Sequence, residues 1–185
     1  MGLKLNLGSG QNPQPGYLNV DRYGDADLNC DQECFSWPWP DSSVSEIQLI
    51  HVLEHLGAAA ETFMMIMKEM YRVCEPGALI HIAVPHPRHD NFIGDPTHVR
   101  PVVPMTFELF SRKNNLEWQR MKASNSPLAL HHGVDFEVVD TTMILDEPYA
   151  SDLRSGKLSV EDLEPLLRRQ NNVASEIRIR LKVVK

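Results

Sequence analysis

Two short segments near the start of the chain have the residue types and the spacing of a nucleoside-binding site. The turn Leu7-Gly8-Ser9-Gly10 ends one apolar run, and Asp21 ends the next one, residues 17–20. A Gly-x-Gly turn exposes backbone N–H groups and lets a ligand approach the main chain closely. A carboxylate at the end of the next strand of a parallel sheet can accept hydrogen bonds from two ribose hydroxyls. Together the segments predict half of a nucleoside-binding site.

The loop that follows this turn does not fit a dinucleotide. Residues 11–16 read Gln-Asn-Pro-Gln-Pro-Gly, without a third glycine at the required spacing and without a basic residue. The two prolines leave no room for a helix whose N-terminus could face a pyrophosphate. The site therefore favours an uncharged or zwitterionic nucleoside over NAD. S-adenosylmethionine (SAM) is the common ligand of that description.

Two histidines in loops after a predicted strand are candidate general bases. His86 lies in the segment 85–90 and His98 in the segment 95–100. An imidazole can take a proton from an attacking hydroxyl or amine near neutral pH. The sequence leaves open the alternative that these residues only shape their loops.

The segment His51-Val52-Leu53-Glu54-His55 has the spacing of the inverted zinc-protease motif. In a helix, His51 and His55 would share one face, with Glu54 beside them as a possible base. Here the motif begins at the end of a predicted strand, and Gly57 follows closely. This placement disfavours a zinc-dependent hydrolase, which stays the less favoured alternative. No residue is predicted to bind a metal.

The elements that must position these residues alternate between strand and helix. Apolar patterns predict strands at residues 3–7, 17–20, 47–52, 78–84 and 136–145, with a strictly alternating, antiparallel strand at 177–183. Helical spacing predicts a helix over residues 58–73 that stops at residues 75–77, a short one over 106–112, and an inserted helix within 151–172. The connection 8–16 is long enough to return the chain without a helix. We therefore expect the first two strands to pair in parallel and not as a hairpin, which would put Asp21 at the wrong end of the sheet for the later motifs.

Composition excludes several functional classes. The net charge of −7 argues against a nucleic-acid partner, and no apolar run approaches the length of a membrane span. Three cysteines without a Cys-x-x-Cys pair are typical of reduced thiols in a cytoplasmic protein. We therefore expect one cytoplasmic domain over residues 1–185, with no membrane or nucleic-acid partner.

Six segments in order resemble motifs of the class I SAM-dependent methyltransferases, in particular a small, type 11-like subgroup with a shortened N-terminal half. They are Asn6–Gly10, Asp21, Asp31, Trp37–Val44, Ile50–Leu56 and Arg72–Leu79, and the resemblance extends from Leu3 to about Arg112. It implies a Rossmann-like α/β fold: a mostly parallel twisted sheet, with helices on both faces and a C-terminal antiparallel strand.

The resemblance also implies roles for the candidate residues. Gly8, Gly10 and the nearby backbone of Leu7 and Ser9 would hold the methionine end of SAM, Asp21 the ribose and Asp31 the adenine. His51 would line the methyl-transfer pocket. The implied reaction is methyl transfer to an oxygen or nitrogen of a small-molecule or sugar acceptor, and a non-catalytic SAM- or nucleoside-binding protein is the alternative.

One further feature of the family is implied less directly. Some similar methyltransferases carry Glu-x-x-Glu-His at the position of residues 51–55 and hold a divalent ion that orients substrate hydroxyls. This chain has His51 in place of the first Glu.

Overall fold

A single seven-stranded sheet organises the protein, whose computed structural model describes residues 2–185. The strands are β1 (Leu3–Leu7), β2 (Leu18–Asp21), β3 (Leu28–Asn29), β4 (Val44–Ile50), β5 (Cys74–Pro85), β6 (Phe136–Leu145) and β7 (Ala174–Val183). Their order is β3-β2-β1-β4-β5-β7-β6, and β7 pairs antiparallel with both of its neighbours while the other pairs are parallel. The predicted Rossmann-like, mostly parallel sheet is confirmed, as is its antiparallel C-terminal strand.

The connection between β1 and β2 contains no helix, as the sequence predicts. The two strands pair in parallel, with Leu5 opposite Leu18. Asn6 holds the loop against the sheet, because its Nδ2 donates to the carbonyl of Asn12 and to Oδ1 of Asn19. Parallel pairing brings the turn after β1 and the end of β2 to the same edge of the sheet.

Seven helices and one 3₁₀ turn connect the strands of the described chain. The 3₁₀ turn is Leu53–His55, and the helices are α1 (Ala60–Val73), α2 (Asp90–Ile93), α3 (Pro104–Glu108), α4 (Arg112–Met121), α5 (Leu128–His132), α6 (Tyr149–Ser155) and α7 (Val160–Arg169). Helix α1 buries the predicted apolar stripe against the sheet. Among the described residues, no helix is both long and apolar enough to cross a membrane.

Several predicted boundaries are wrong. Strand β4 spans Val44–Ile50 instead of residues 47–52, because the chain turns at His51, whose φ is 55°. Strand β5 begins at Cys74, which pairs with Val44, so residues 75–77 belong to the strand instead of separating it from α1. The short helix predicted at 106–112 is α3, which ends at Glu108, and α4 follows it. The region 151–172 contains two helices, not one.

The two faces of the sheet differ strongly in polarity. One row of paired residues across the sheet is apolar and packs in the core: Leu5, Ile47, Ile80, Leu181 and Val138. The next row lies on the opposite face and is polar: Asn6, Gln48, His81, Arg180 and Asp140.

The expectation that helices cover both faces of the sheet needs a correction, because the two faces are covered differently. Right-handed crossovers place the β1–β2 and β4–β5 connections on opposite faces. Helix α1 covers the apolar face. The helix-free loop covers part of the other face, where the Tyr17 hydroxyl accepts a 2.9 Å hydrogen bond from Gln48. Part of the remaining face reaches solvent, where the side chain of Arg180 is 46% exposed.

Candidate active site

A cleft of about 600 Å³ lies at the carboxyl ends of the central strands. Strands β1 and β4 are neighbours, and their connections to β2 and β5 leave in opposite directions, which is where open α/β sheets bind ligands. Four of the predicted site residues line this cleft: Gly8, Asp21, Asp31 and His51. Its volume is in the range of small-molecule sites, about 300–1,000 Å³.

The carboxylate of Asp21 is fixed in the cleft by two backbone amides. The amide of Gly10 donates to Oδ2 at 2.8 Å, and the amide of Tyr23 donates to Oδ1 at 2.9 Å. A carboxylate offers about four lone-pair positions, so both oxygens can still accept hydrogen bonds from hydroxyl groups. Asp21 therefore has the position and the free acceptor capacity that ribose binding requires.

The amides of the glycine-rich turn are not free to bind a ligand. Gly8 and Ser9 both donate to the carbonyl of Val20, at 2.8 and 3.0 Å, and Gly10 donates to Asp21. The expectation of exposed N–H groups at these positions is wrong, because the turn uses them to join β1 to β2. Leu7 is fully buried in the core, so its backbone alone can contribute.

The turn also contacts two different cavities. Gly8 faces the cleft with His51, whereas Ser9 and Gly10 line an adjoining cavity of about 520 Å³. Asp21 and Tyr23 border both. The residues of the glycine-rich turn are therefore near Asp21, but Gly8 is the one that lines the same cleft as His51.

Gly8 permits a close approach between two strand ends. Its φ is +68°, and a Cβ atom here would lie 2.4 Å from Cγ2 of Val52. Side chains essentially cannot occupy that space, and L-residues rarely adopt that backbone conformation. Gly10 also has a positive φ, +49°, but a Cβ there would meet no atom within 4 Å.

Asp31 lies in the cleft with a basic neighbour. Its Oδ2 is 3.2 Å from Nε of Arg22, and its Oδ1 accepts a 2.9 Å hydrogen bond from the amide of Glu33. The ion pair and the amide together hold the carboxylate beyond the end of β3.

His51 is placed between two carboxylates. Its Nδ1 is 3.6 Å from Oε1 of Glu54, and its Nε2 is 2.8 Å from Oε2 of Glu176 on β7. The contact with Glu54 and the charge of Glu176 raise the pKa of His51 above its usual value. The imidazolium form is therefore favoured, and both ring nitrogens are engaged.

His98 belongs to a packed cluster beside His51. Its ring contacts the ring of His55, with centroids 4.6 Å apart, and stacks on Phe92 at 5.2 Å. His55 and Thr97 line the cleft, and Nδ1 of His55 is 2.9 Å from the hydroxyl oxygen of Thr97. The side chain of His98 itself is 7% exposed and does not line the cleft.

Like His98, His86 does not line the cleft. Its amide donates to the carbonyl of Ser175, and its Nδ1 accepts from the amide of Arg88 at 3.2 Å. Burial lowers the pKa of His86, so the neutral ring is favoured. The two predicted bases therefore occupy different environments.

Glu54, which the sequence presents only within the zinc-protease spacing, completes the cluster. Glu54 is 1% exposed, and its Oε2 has no hydrogen-bond partner in the described part of the chain. The carbonyl of Glu54 accepts a 2.8 Å hydrogen bond from the amide of Val99, which joins the turn after β4 to the 95–100 loop. Both segments carried sequence signals, but their contact depends on the fold.

No protein-family model and no curated protein matches the sequence. A solved SAM-dependent methyltransferase from Archaeoglobus fulgidus is similar in structure, with 18% identity, a TM-score of 0.56, and coverage of 98% of this chain and 86% of that one. The [4+2]-cyclase SpnF is similar over 99% of this chain and 76% of its own, with 14% identity and a TM-score of 0.52.

A third similar structure is the 16S rRNA methyltransferase KamB, with 14% identity, a TM-score of 0.50, and coverage of 100% of this chain and 89% of that one. The chain has the fold of the class I SAM-dependent methyltransferases. The resemblance in the motifs and the likeness in the fold thus agree. Within the methyltransferase fold, the cleft lies at the switch point. Because the neighbours include a protein named as a cyclase and one named for rRNA, the fold alone does not identify the acceptor.

Proposed function

We propose that the protein transfers the methyl group of SAM to an oxygen or nitrogen atom of a small-molecule or sugar acceptor. The observation that carries the proposal is the carboxylate of Asp21, held by the amides of Gly10 and Tyr23 at the mouth of the switch-point cleft. A pre-positioned carboxylate at the end of β2 suits a nucleoside ribose. The methyltransferase fold favours SAM over other nucleosides.

In this proposal the ligand extends along the cleft past Asp21. The ribose hydroxyls donate to Asp21, and the adenine lies toward Asp31. The methionine end lies toward Gly8 and the turn Leu7–Gly10. Because the amides of Gly8, Ser9 and Gly10 are already bonded, the α-ammonium group of SAM is expected to bind carbonyl oxygens of this turn instead. A carbonyl has two lone pairs and can accept such a bond.

The transfer itself needs positioning and a proton acceptor. An acceptor oxygen or nitrogen attacks the methyl carbon in line with the carbon–sulfur bond, which breaks and leaves S-adenosylhomocysteine. The acceptor's proton passes to a histidine. His98 supplies a suitable atom, because its Nδ1 donates to the carbonyl of Phe92 at 2.9 Å, and its Nε2, which lies 3.8 Å from Oδ2 of Asp95, carries the lone pair of the neutral ring. His86 is the second proposed base, and its lowered pKa also favours the neutral ring.

The acceptor class rests on the sequence resemblance and on charge. A net charge of −7 disfavours a polyanionic acceptor and a cytoplasmic small metabolite is proposed instead. The expectation that no nucleic acid is involved has no support from the fold, since one similar structure is named a 16S rRNA methyltransferase. An RNA oligonucleotide therefore belongs in the acceptor screen.

The test is calorimetry with SAM followed by a product-release screen. The screen covers sugars, amino sugars, phenolic and carboxylic metabolites, and a structured RNA. Micromolar SAM binding with turnover of one acceptor class supports the proposal. SAM binding without release of S-adenosylhomocysteine from any acceptor favours the non-catalytic binding alternative.

The zinc-hydrolase alternative has little structural basis in this segment. Leu53–His55 is a single 3₁₀ turn, and His51 precedes it in a left-handed conformation. The helix that would place His51 and His55 on one face is therefore not formed.

A further inference from the structure

A second cavity, of about 300 Å³, lies on the polar face of the sheet, beside the cleft. It forms around Ala83 on β5, which pairs with Ile50 on one side and with Arg178 on the other, so that a small side chain is flanked by two larger ones. Ala83 and Ile50, which is 43% exposed, make an apolar floor. The volume is at the lower end of the range for small-molecule sites.

One carboxylate joins this cavity to the cleft. Glu176 lines the cavity, and its Oε2 is 2.8 Å from Nε2 of His51, which lines the cleft. The other oxygen of Glu176, Oε1, accepts a 2.6 Å hydrogen bond from Nε of Arg178. The cavity and the cleft are therefore neighbours, with the pair of Glu176 and His51 between them.

Arg180 and Asp140 form an open ion pair in the wall of the cavity. They lie opposite each other in the register of β7 and β6, and Nη2 of Arg180 is 3.8 Å from Oδ2 of Asp140. That distance is too long for a hydrogen bond. Within residues 2–185 this is the only polar contact of either side chain. A cation and an anion are thus side by side, with their hydrogen-bonding atoms available to a ligand.

The other charged groups of the cavity already have partners. Arg178 donates to Glu176, and Glu176 also contacts His51. His81 lines the cavity as well, but its Nε2 is 3.3 Å from Oε1 of Glu46. The open ion pair is therefore the part of the cavity that is suited to bind a charged ligand.

An open ion pair favours a ligand that carries both signs of charge. Asp140 would repel a ligand that is only an anion, and Arg180 would repel one that is only a cation. A guanidinium group can donate two parallel hydrogen bonds to a carboxylate, and a carboxylate can accept from an ammonium group. An α-amino acid has its carboxylate and its ammonium on one carbon atom, so it can present them to two adjacent side chains.

We propose that this cavity binds the α-carboxylate and the α-ammonium group of an amino acid, and that this amino acid is the methyl acceptor. Arg180 binds the carboxylate, and Asp140 binds the ammonium group. A long polar side chain then extends over the apolar floor toward His51, and the oxygen or nitrogen atom at its end reaches the cleft. The role as acceptor rests on the proposed function, whereas binding of the amino acid does not.

The test measures binding of the standard amino acids to the full chain by ligand-observed NMR, with S-adenosylhomocysteine present in excess. The excess keeps amino acids out of the place proposed for the methionine end of SAM. We expect an amino acid with a long polar side chain to bind at millimolar affinity or better. Its N-acetyl derivative lacks the ammonium charge and its amide lacks the carboxylate, so each should bind at least about tenfold more weakly.

Two variants assign the charges to the side chains. Arg180→Gln should weaken binding about tenfold or more and remove the difference between the amino acid and its amide. Asp140→Asn should weaken binding by a similar factor and remove the difference between the amino acid and its N-acetyl derivative. Lys182→Gln is the matched control, because Lys182 is an exposed cation of β7 that does not line the cavity, and it should bind within about threefold of the wild type.

Four results would each overturn the assignment of the ligand. They are no binding of any amino acid, equal or tighter binding of either derivative, unchanged binding in Arg180→Gln or Asp140→Asn, and loss of binding in Lys182→Gln. Tighter binding of the N-acetyl derivative would make the cavity an anion site instead. Circular dichroism checks that each variant is folded, and SAM affinity should stay unchanged in both because neither side chain lines the cleft.

A methyl-transfer assay tests the role as acceptor. The amino acid that binds should release S-adenosylhomocysteine from SAM, and Arg180→Gln should raise its KM with little change in kcat. A bound amino acid that is not methylated, although SAM binds, would contradict this role. Amino-acid binding without SAM binding contradicts the proposed function and leaves the ligand of the cavity standing. Turnover of another acceptor without amino-acid binding contradicts the ligand of the cavity alone.

Discussion

The backbone amide of Gly10 donates a 2.8 Å hydrogen bond to Oδ2 of Asp21, which ties the turn after β1 to the end of β2. The amide of Tyr23 holds the other carboxylate oxygen at 2.9 Å. The carboxylate is thus oriented before any ligand arrives, so little conformational entropy is lost when one binds. The glycine-rich turn uses an amide to position the side chain of Asp21, and its amides are not free to bind a ligand directly.

Asp21→Ala should weaken SAM binding by about 1.5–3 kcal/mol, the range for loss of a charged hydrogen-bonding partner. Isothermal calorimetry measures the change. Asp140→Ala, an exposed acid on β6, is the control and should leave SAM affinity unchanged. Equal affinity of the wild type and Asp21→Ala would remove Asp21 from the binding site.

Gly8→Ala should destabilise the fold more than Gly10→Ala does. Both positions have positive φ, which costs a non-glycine residue about 1–2 kcal/mol. Only Gly8 adds a steric conflict, with Val52 at 2.4 Å, and overpacking costs a further 1–3 kcal/mol, roughly. Urea unfolding compares the two variants. Adding Val52→Ala should recover part of the loss in Gly8→Ala and none in Gly10→Ala, and the absence of that difference would contradict the packing argument.

The main strands of the sheet can be predicted from the sequence, because their apolar patterns are strong and local. The run Leu3–Leu7 and the alternation at residues 177–183 each match a strand, and the apolar stripe of α1 is unambiguous. Boundaries fail where tertiary pairing overrides local preference. Cys74 joins the sheet directly after α1 because it pairs with Val44, although Glu75-Pro76-Gly77 is a strong local stop signal.

The candidate site is predictable only in part. Motif order identifies Gly8, Asp21, Asp31 and His51, and all four line one cleft. The pairing of Glu54 with the 95–100 loop is not predictable, because it depends on a backbone hydrogen bond between segments far apart in sequence. The amides of Gly8 and Ser9 illustrate the same limit, since their acceptor, the carbonyl of Val20, is known only once β1 and β2 are paired.

Stability should depend on pH in opposite directions at His51 and His86. Glu54 and Glu176 raise the pKa of His51 in the folded protein, so its contribution is present below the unfolded value, about 6.5, and is lost as pH rises through the folded pKa. Burial lowers the pKa of His86, so its contribution is present above about 6.5 and is lost as pH falls through the folded pKa.

Urea unfolding between about pH 5.5 and 8.5 tests this pair with His51→Gln and His86→Gln. The difference in unfolding free energy between the wild type and His51→Gln should shrink as pH rises, and that for His86→Gln should shrink as pH falls. The same trend in both variants would contradict the assigned environments.

Once an acceptor is identified, His98→Asn should lower the transfer rate by about a hundredfold or more while SAM affinity changes little. His86→Asn tests the second proposed base in the same assay. Because His98 packs against His55 at the cleft and His86 does not line it, we expect the larger loss in His98→Asn. Unchanged rates in both variants would make these histidines structural.

Calorimetry with SAM and NAD, measured side by side on the wild-type chain, tests the central claim most directly. The turn after β1 has no basic residue and leads into no helix, so nothing there favours a pyrophosphate, whereas Asp21 is oriented toward ribose hydroxyls. We expect SAM and S-adenosylhomocysteine to bind at micromolar affinity and NAD to bind at least about a hundredfold more weakly, a difference of about 2.7 kcal/mol. NAD binding as tight as SAM binding, or no binding of SAM, would contradict the account.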